Sequence, residues 1–306
     1  MATSWRRPSK NGKTPIRVSA SIACIRKSPR GLEMLLVQRR NSYAFGDFIL
    51  CKYDVTDNPR IVQLFNGMTI EEKTVLATMN FDSIWYHLWL GVPPKWANFA
   101  TCRYRFFMMF RGPQGEKRLA TLISTTTNNA RVWSTPKGRR ECGESSIECA
   151  VREFQEETTF EKDKNYQLLP QICHEYSHTS DGVRYTVITY VGVAFPAEEQ
   201  RNYAFHNPQV DAMNHWQVHE ISDIRWMTLQ DMRHTAGAER IYPQAKTILK
   251  KYKGYRRGFR RGLLRDAGST SDLALDTPAF APDQFPDCFP DQHSDPTSEP
   301  AYTHSL

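Results

Sequence analysis

The stretch GRRECGESSIECAVREFQEETTF, Gly138 to Phe160, decides how the rest of the chain is read. From about Ser145 to Thr158 it has the texture of a helix, because Ile147, Ala150, Val151 and Phe154 recur at the three- and four-residue steps that line one helical face. Glu153, Glu156 and Glu157 stand at i, i+3 and i+4, so a helix projects three carboxylates from one side, close to one another. Left alone, such charges repel and raise one another's pKa; cations held between them remove the conflict. An all-oxygen donor set favours Mg²⁺ or Mn²⁺ over zinc, and Mg²⁺ completes its shell with water and phosphate oxygens. Just upstream, Gly138 allows the backbone to approach a diphosphate closely, while Lys137, Arg139 and Arg140 bring positive charge to the same edge. The order strand, glycine loop, acidic helix therefore points to metal-assisted hydrolysis of a phosphoanhydride. Within this frame Arg152 is expected to pair with Glu144 and tie loop to helix, which makes Glu144 first a structural residue and second a metal ligand.

Working outward, Arg17–Arg26 alternates Val18, Ala20, Ile22 and Cys24, and Leu32–Arg39 is a second apolar run beyond Pro29-Arg30-Gly31, as in two strands joined by a turn. Residues 42–128 change texture: Thr69 and Glu72 form a capping-box pair, Val75, Leu76 and Met79 follow at helical spacing, and aromatics mix with Arg103, Arg105 and Arg111. They read as a mostly helical insertion. Strand texture returns at Ala130–Ser134, then at Val183–Phe195 and Glu220–Met227, and a last helix is expected over roughly Pro243–Tyr252. The layout is thus a basic flexible lead (1–15), one sheet-bearing domain split into 16–41 and 129–256, the insertion at 42–128, and 257–306 as a basic linker followed by an acidic, proline-rich disordered tail.

The 306 residues carry a net charge of +7, but the charge is segregated. Asp266 to Leu306 holds eight acids and no Lys or Arg, which leaves an excess of fifteen positive charges on everything before it. Lys246–Arg265 contains nine basic residues and no acid, interleaved with Tyr252, Tyr255 and Phe259, a composition suited to a polyanion or to a solvated helix end. No window approaches a membrane-spanning length of apolar residues, and the basic start lacks the apolar stretch of a secretion signal. Seven dispersed cysteines with no zinc-type spacing fit free thiols in a reducing compartment.

The frame from Gly138 to Phe160 resembles the Nudix box, G-x5-E-x7-R-E-U-x-E-E-x-G-U with U apolar, with one departure: Thr159 stands where the family has glycine. The stretches YAFGDFILCKY (43–53), FNGMTIEEK (65–73) and NFDSIWYHLWL (80–90), ahead of the Trp-x-x-Pro-Lys-Gly entry at 133–138, are similar to the mRNA-decapping Nudix hydrolases of large DNA viruses, such as those of African swine fever virus and the poxviruses. That resemblance, over roughly residues 16–255, implies an α/β fold: a Nudix α/β/α sandwich with a helical domain inserted between early strands. It implies a cytoplasmic enzyme that releases 7-methyl-GDP from capped mRNA, contributes to host shutoff, and uses Mg²⁺ or Mn²⁺ held by Glu153, Glu156 and Glu157. A further acid from a later strand or loop often joins; Glu220 is the candidate, with Asp223, Glu198 and Glu199 as rivals. Lys137 and Gly138 are the phosphate-binding candidates. RNA contacts are expected from Arg103 and Arg105 in the insertion and from Lys246, Lys250, Lys251, Lys253, Arg256 and Arg257 on the last helix. Tyr43, Phe45, Trp85 and Tyr86 come to mind as stacking residues for the cationic methylguanine, though each also suits core packing. Two other readings stand beside decapping: a Nudix hydrolase of diphosphoinositol or dinucleoside polyphosphates, and a non-catalytic RNA-binding regulator.

Overall fold

β1 (Ile16–Ser28) buries both faces, Ala20, Ile22 and Cys24 on one and Ala23 and Ile25 on the other, which is what a central strand demands. In the computed structural model, which describes residues 16–90, 98–180, 183–196, 210–211 and 214–266, the chain turns at Gly31 and returns antiparallel as β2 (Gly31–Arg39). The turn needs the glycine, whose φ is +115°.

The chain then leaves the sheet for six helices: α1 (Tyr43–Ile49), α2 (Asn58–Gly67), α3 (Ile70–Thr78), α4 (Phe81–Trp89), α5 (Phe99–Phe110) and α6 (Gly112–Thr125). Five of them start at capping side chains: Ser42, Asp57, Thr69, Asn80 and Asn98 each accept the backbone N–H of the residue three positions on. Thr69 and Glu72 close the full capping box. The helices share an aromatic core in which Phe48 packs against Tyr53, Phe65, Phe106 and Phe110, with ring centroids 5.1–6.3 Å apart. Fully buried Lys73 projects its ammonium onto the C-terminal end of α6, donating to the carbonyls of Thr126 and Thr127 and to the Thr126 hydroxyl. Glu72 accepts from the Ser42 amide and hydroxyl, which fixes where α1 leaves the sheet.

The remaining elements are β3 (Trp133–Ser134), β4 (Lys137–Arg139), α7 (Ser146–Thr158), β5 (Tyr166–Ser180), β6 (Val183–Ala194), α8 (His215–Glu220), β7 (Ile221–Met227), α9 (Leu229–His234) and α10 (Tyr242–Asp266). The seven strands form one mixed sheet in the order β3-β2-β1-β6-β5, with β4 also beside β1 and β7 beside β2. β1 and β6 run parallel from Ile16↔Arg184 to Ile25↔Val193. Cys149, Ala150 and Phe154 of α7 cover one face, and Met232, Ala245, Ile248, Leu249 and Tyr252 of α9 and α10 cover the other, so the layers are α/β/α.

Three expectations change. The strand at 130–134 shrinks to Trp133–Ser134, and Lys137–Arg139, read as a loop, pairs with Ser19–Ser21 as a short strand. β5 was not foreseen: Pro170 and many polar residues mask it, and the proline is tolerated because it lies at the register shift between Leu169 and Cys173 on an edge strand. The last helix does not stop near Tyr252 but passes through Gly254 and Gly258 to Asp266, so residues 257–266 are helical rather than linker; no proline follows to end it earlier. The expected flexible lead (1–15) and the acidic tail beyond Asp266 lie outside the described residues.

Candidate active site

The Gly138–Phe160 frame is built from the loop upward. Ser145 caps α7 and Glu148 reaches back to the Ser145 amide, a capping box that sets the helix start and hence the phase of every carboxylate after it. Arg152 is the hub: Nε and Nη2 grip both oxygens of Glu144 at 2.9 and 3.1 Å, and Nη2 also donates to the Arg139 carbonyl at 3.1 Å. This pair ties the loop to the helix. The guanidinium beside it holds the Glu144 carboxyl below its ordinary range, and Glu144 in turn raises the Arg152 pKa. Arg152 Nη1 then bridges Glu153 Oε1 at 2.8 Å and Glu156 Oε2 at 3.2 Å.

The three glutamates of the helix are not equivalent. Glu153 lies against the glycine: a Cβ placed on Gly138 would sit 1.9–2.0 Å from its carboxyl atoms, so only glycine leaves this seat open. Glu157 is 5% exposed and accepts the Lys137 amide at 3.2 Å. Burial pushes its pKa up to about 8, against the pull of Lys137 and Arg39, with Glu220 and Glu153 adding repulsion. Burial also raises Glu153, opposed by Arg152, with Glu156 and Glu220 adding to the rise. Glu156 turns outward, 51% exposed at its side chain, into a cavity of about 920 Å³ that Glu144, Ile147, Arg152, Lys162 and Asn214 also line. Among the described residues no three acidic, His or Cys side chains are already gathered as a metal cage; Arg152 is the cation between Glu153 and Glu156.

Glu220, at the end of α8, is brought to the same place. Its carbonyl accepts the Arg40 amide at 2.8 Å, its carboxylate is 3.8 Å from Arg39 Nη1, and its charge is felt by both Glu153 and Glu157. Of its rivals, Asp223 pairs with Arg225, and Glu198 and Glu199 lie outside the described residues. Thr159 ends α7 at φ +63°, the left-handed position where the family pattern has glycine, so the turn survives the departure with a β-branched residue in it.

Three residues of the site carried no signal in the sequence. Arg39, at the bulged end of β2, has its Nε buried without a hydrogen-bond partner among the described residues and stacks on the Tyr43 ring, 4.3 Å to the centroid. Gln217, 1% exposed, donates to the Glu157 carbonyl at 2.9 Å and pins the end of the acidic helix. Cys149 places its thiol 3.7 Å from the Gly138 carbonyl. Arg39 and Gln217 join segments far apart in the chain, so only position reveals them, whereas Cys149 meets Gly138 within the Gly138–Phe160 frame.

The other candidates are scattered. Phe45 and Trp85 are core residues of the helical insertion and offer no face to a cap, whereas Tyr43 is 63% exposed at the mouth of the site and Tyr86 is exposed on α4. Proximity to the cations of Lys137 and Arg39 lowers the Tyr43 phenol pKa. Arg103 pairs with Asp82 at 2.7 Å and lies over Phe107; Arg105 is half-buried. Lys246, Lys250, Lys251, Lys253 and Arg257 are exposed along α10, while Arg256 is half-buried over Tyr252.

Comparison with known proteins bears on the family of the chain. A family search matches a NUDIX domain over residues 103–248, a span that opens inside α5 and omits β1 and β2, although the sheet holds them in the same layer. The chain is 30% identical to the mRNA-decapping protein g5R of African swine fever virus isolate Pig/Kenya/KEN-50/1950, over 232 residues, 74% of this chain and 92% of that protein. Its likeness to the g5R protein of isolate Warthog/Namibia/Wart80/1980 is 30% over 236 residues, 74% and 92% of the two chains. Among solved structures, a C. elegans Ap4A hydrolase complex aligns at 13% identity and TM-score 0.38, covering 79% of this chain and 98% of that one. The chain belongs to the Nudix family. It is a hydrolase of phosphoanhydrides, an activity that in this family generally depends on divalent metal ions.

Proposed function

We propose that this protein is an mRNA-decapping enzyme, hydrolysing the cap pyrophosphate of 7-methylguanosine-capped RNA to 7-methyl-GDP and 5′-monophosphate RNA. The observation that carries this reading is the likeness to the decapping proteins over 74% of the chain, a span too long for the sheet-bearing residues alone to supply. The site chemistry agrees with it. The buried Glu157, the Glu153 carboxyl seated on Gly138, and Glu220 repel one another and suit a divalent cation. Glu153, Glu156, Glu157 and Glu220 would hold Mg²⁺ or Mn²⁺, which when bound neutralises the pyrophosphate and activates water. Lys137 and the backbone at Gly138 bind the phosphates at the loop edge. Arg152 and Gln217 position α7 rather than touch substrate. Arg103 and Arg105 of the insertion and the exposed lysines of α10 carry the RNA body. The substrate, mature message, sets the place of action in the host cytoplasm; among the described residues no helix is long and apolar enough to cross a membrane.

The test presents cap-labelled RNA, free cap dinucleotide and a diphosphoinositol phosphate to the protein with Mg²⁺ or Mn²⁺, beside Glu156→Gln and Glu157→Gln. Metal-dependent release of 7-methyl-GDP from the RNA, reduced at least about 100-fold in either variant, is expected. Cleavage of the inositol compound alone would replace the reading, and undiminished activity in both variants would remove the site.

A further inference from the structure

On the face of the sheet that α10 covers, the outer ends of three strands carry a row of rings. Arg17 of β1, Tyr185 of β6 and His178 of β5 are in register across the sheet. The Arg17 guanidinium lies 5.9 Å from the Tyr185 ring centroid, and Tyr185 and His178 stack at 5.3 Å with planes 14° apart. Two residues along β5, on the same face, Tyr176 stacks on His178 at 5.7 Å and is 44% exposed.

Cations border this row at both ends. Arg139 is in register with Ser19, two residues from Arg17, and is exposed; its neighbour in sequence is Gly138, where Glu153 is seated. On the other side exposed Lys251 of α10 donates to the Cys173 carbonyl at 2.7 Å, and Tyr255 bonds Gln171. A strip of rings thus runs from beside the catalytic loop to the basic helix.

From this geometry we infer that Tyr176, His178 and Tyr185 form a stacking platform for unpaired nucleotides of the RNA body, with Arg17, Arg139 and Lys251 engaging its phosphates. Rings exposed on a sheet bind single strands because every base has a flat face to offer, and basic flanks supply the sequence-independent attraction. A duplex, whose bases are already stacked, cannot use the rings. Cross-strand pairs also stabilise sheets, but that role does not require a Tyr176 ring open to solvent with cations at both ends of the row. The inference rests on the decapping reading for its substrate, and it adds where the transcript lies once its cap is in the site.

The test measures binding of the full-length protein to a 5′-monophosphate single-stranded RNA and to a duplex of equal length, so that cap chemistry plays no part. Tyr176→Ala together with His178→Ala and Tyr185→Ala is expected to weaken single-strand binding at least about tenfold and to leave duplex binding unchanged. Tyr176→Ala alone, at an exposed position, guards against misfolding of the triple variant and is expected to cost a few-fold. Photo-crosslinking with 5-iodouridine RNA should label Tyr176 or Tyr185. Unchanged single-strand affinity in a variant that melts like wild type would overturn the platform. Equal loss for duplex and single strand would also overturn it, as would loss of a concentration-dependent dimer, which would assign the face to a second copy of the chain. Failure of wild type to release 7-methyl-GDP from capped RNA would instead defeat the decapping reading and leave this binding result readable.

Discussion

The carboxylate site and the aromatic core of the six helices are built on opposite plans. The site draws three of its acids from one continuous helix, takes Glu220 from α8, and is closed by contacts across the chain, the Lys137 amide on Glu157 and Gln217 on the same residue's carbonyl, together with the local pair Arg152–Glu144. The helical core gathers Phe48, Phe65, Phe106 and Phe110 from segments spread over more than sixty positions and holds them by burial. The first region spends stability on charges it cannot fully solvate; the second supplies apolar packing and few polar groups. A substitution should therefore reveal its region by what it changes, rate in one and stability in the other.

The largest effect is expected at Phe48→Ala, which empties the centre of the aromatic cluster and should cost about 4 kcal/mol. Hydrogen exchange should then show residues 43–125 opening while β1 and β6 stay protected; simultaneous loss of protection everywhere would mean that the two regions form one cooperative unit. Gly138→Ala should do the reverse. The added methyl displaces only the flexible end of Glu153, so melting should barely move while turnover of capped RNA falls about 100-fold, roughly 2.7 kcal/mol of activation free energy. Equal kcat in that variant would show that the seat of Glu153 is not used.

Lys73→Met, in the helical region, sharpens the contrast by testing a buried cation. With the carbonyls of Thr126 and Thr127 left without their donor, a loss of about 2 kcal/mol in denaturant melts is expected, with no change in rate on a free cap dinucleotide. The smallest effect, and the only gain, is expected at Thr159→Gly, which relieves a β-branched residue at φ +63° and should stabilise the fold by about 1 kcal/mol. A melting temperature that falls would show that the Thr159 side chain contributes more than its backbone conformation costs.

What the sequence made legible follows the same division. Periodicity in Gly138–Phe160 placed the helix and its glutamates within a residue or two and put Ala150, Val151 and Phe154 on the covered face, because those features are local, but Ile147, expected beside them, is exposed, and Cys149 is buried there instead. The pairing of Arg152 with Glu144, eight residues apart, was likewise within reach of spacing. Arg39 and Gln217 were not, since one ends a strand and the other starts a short helix more than 170 positions later, and only the closed sheet brings both to Glu157 and Glu220. β5 escaped because an edge strand with a proline at its bulge has neither the apolar run nor the clean alternation of a central one. Phe45 and Trp85 could not be told from cap-stacking residues until their burial was known, for an aromatic side chain serves either role equally well in a string of letters.

The strand pair flanking the helices carries one more lesson. Gln38 sits opposite Trp133, and the Arg39 amide bonds the Val132 carbonyl at 3.1 Å, so β2 and β3 are the arms of an ordinary hairpin whose turn has grown into six helices. Closure entropy rises only with the logarithm of length, so so large an outgrowth costs the hairpin only about 3 kcal/mol more than a tight turn would. Architecturally the helices hang as a pendant from a closed clasp, and the sheet owes its connectivity to none of them.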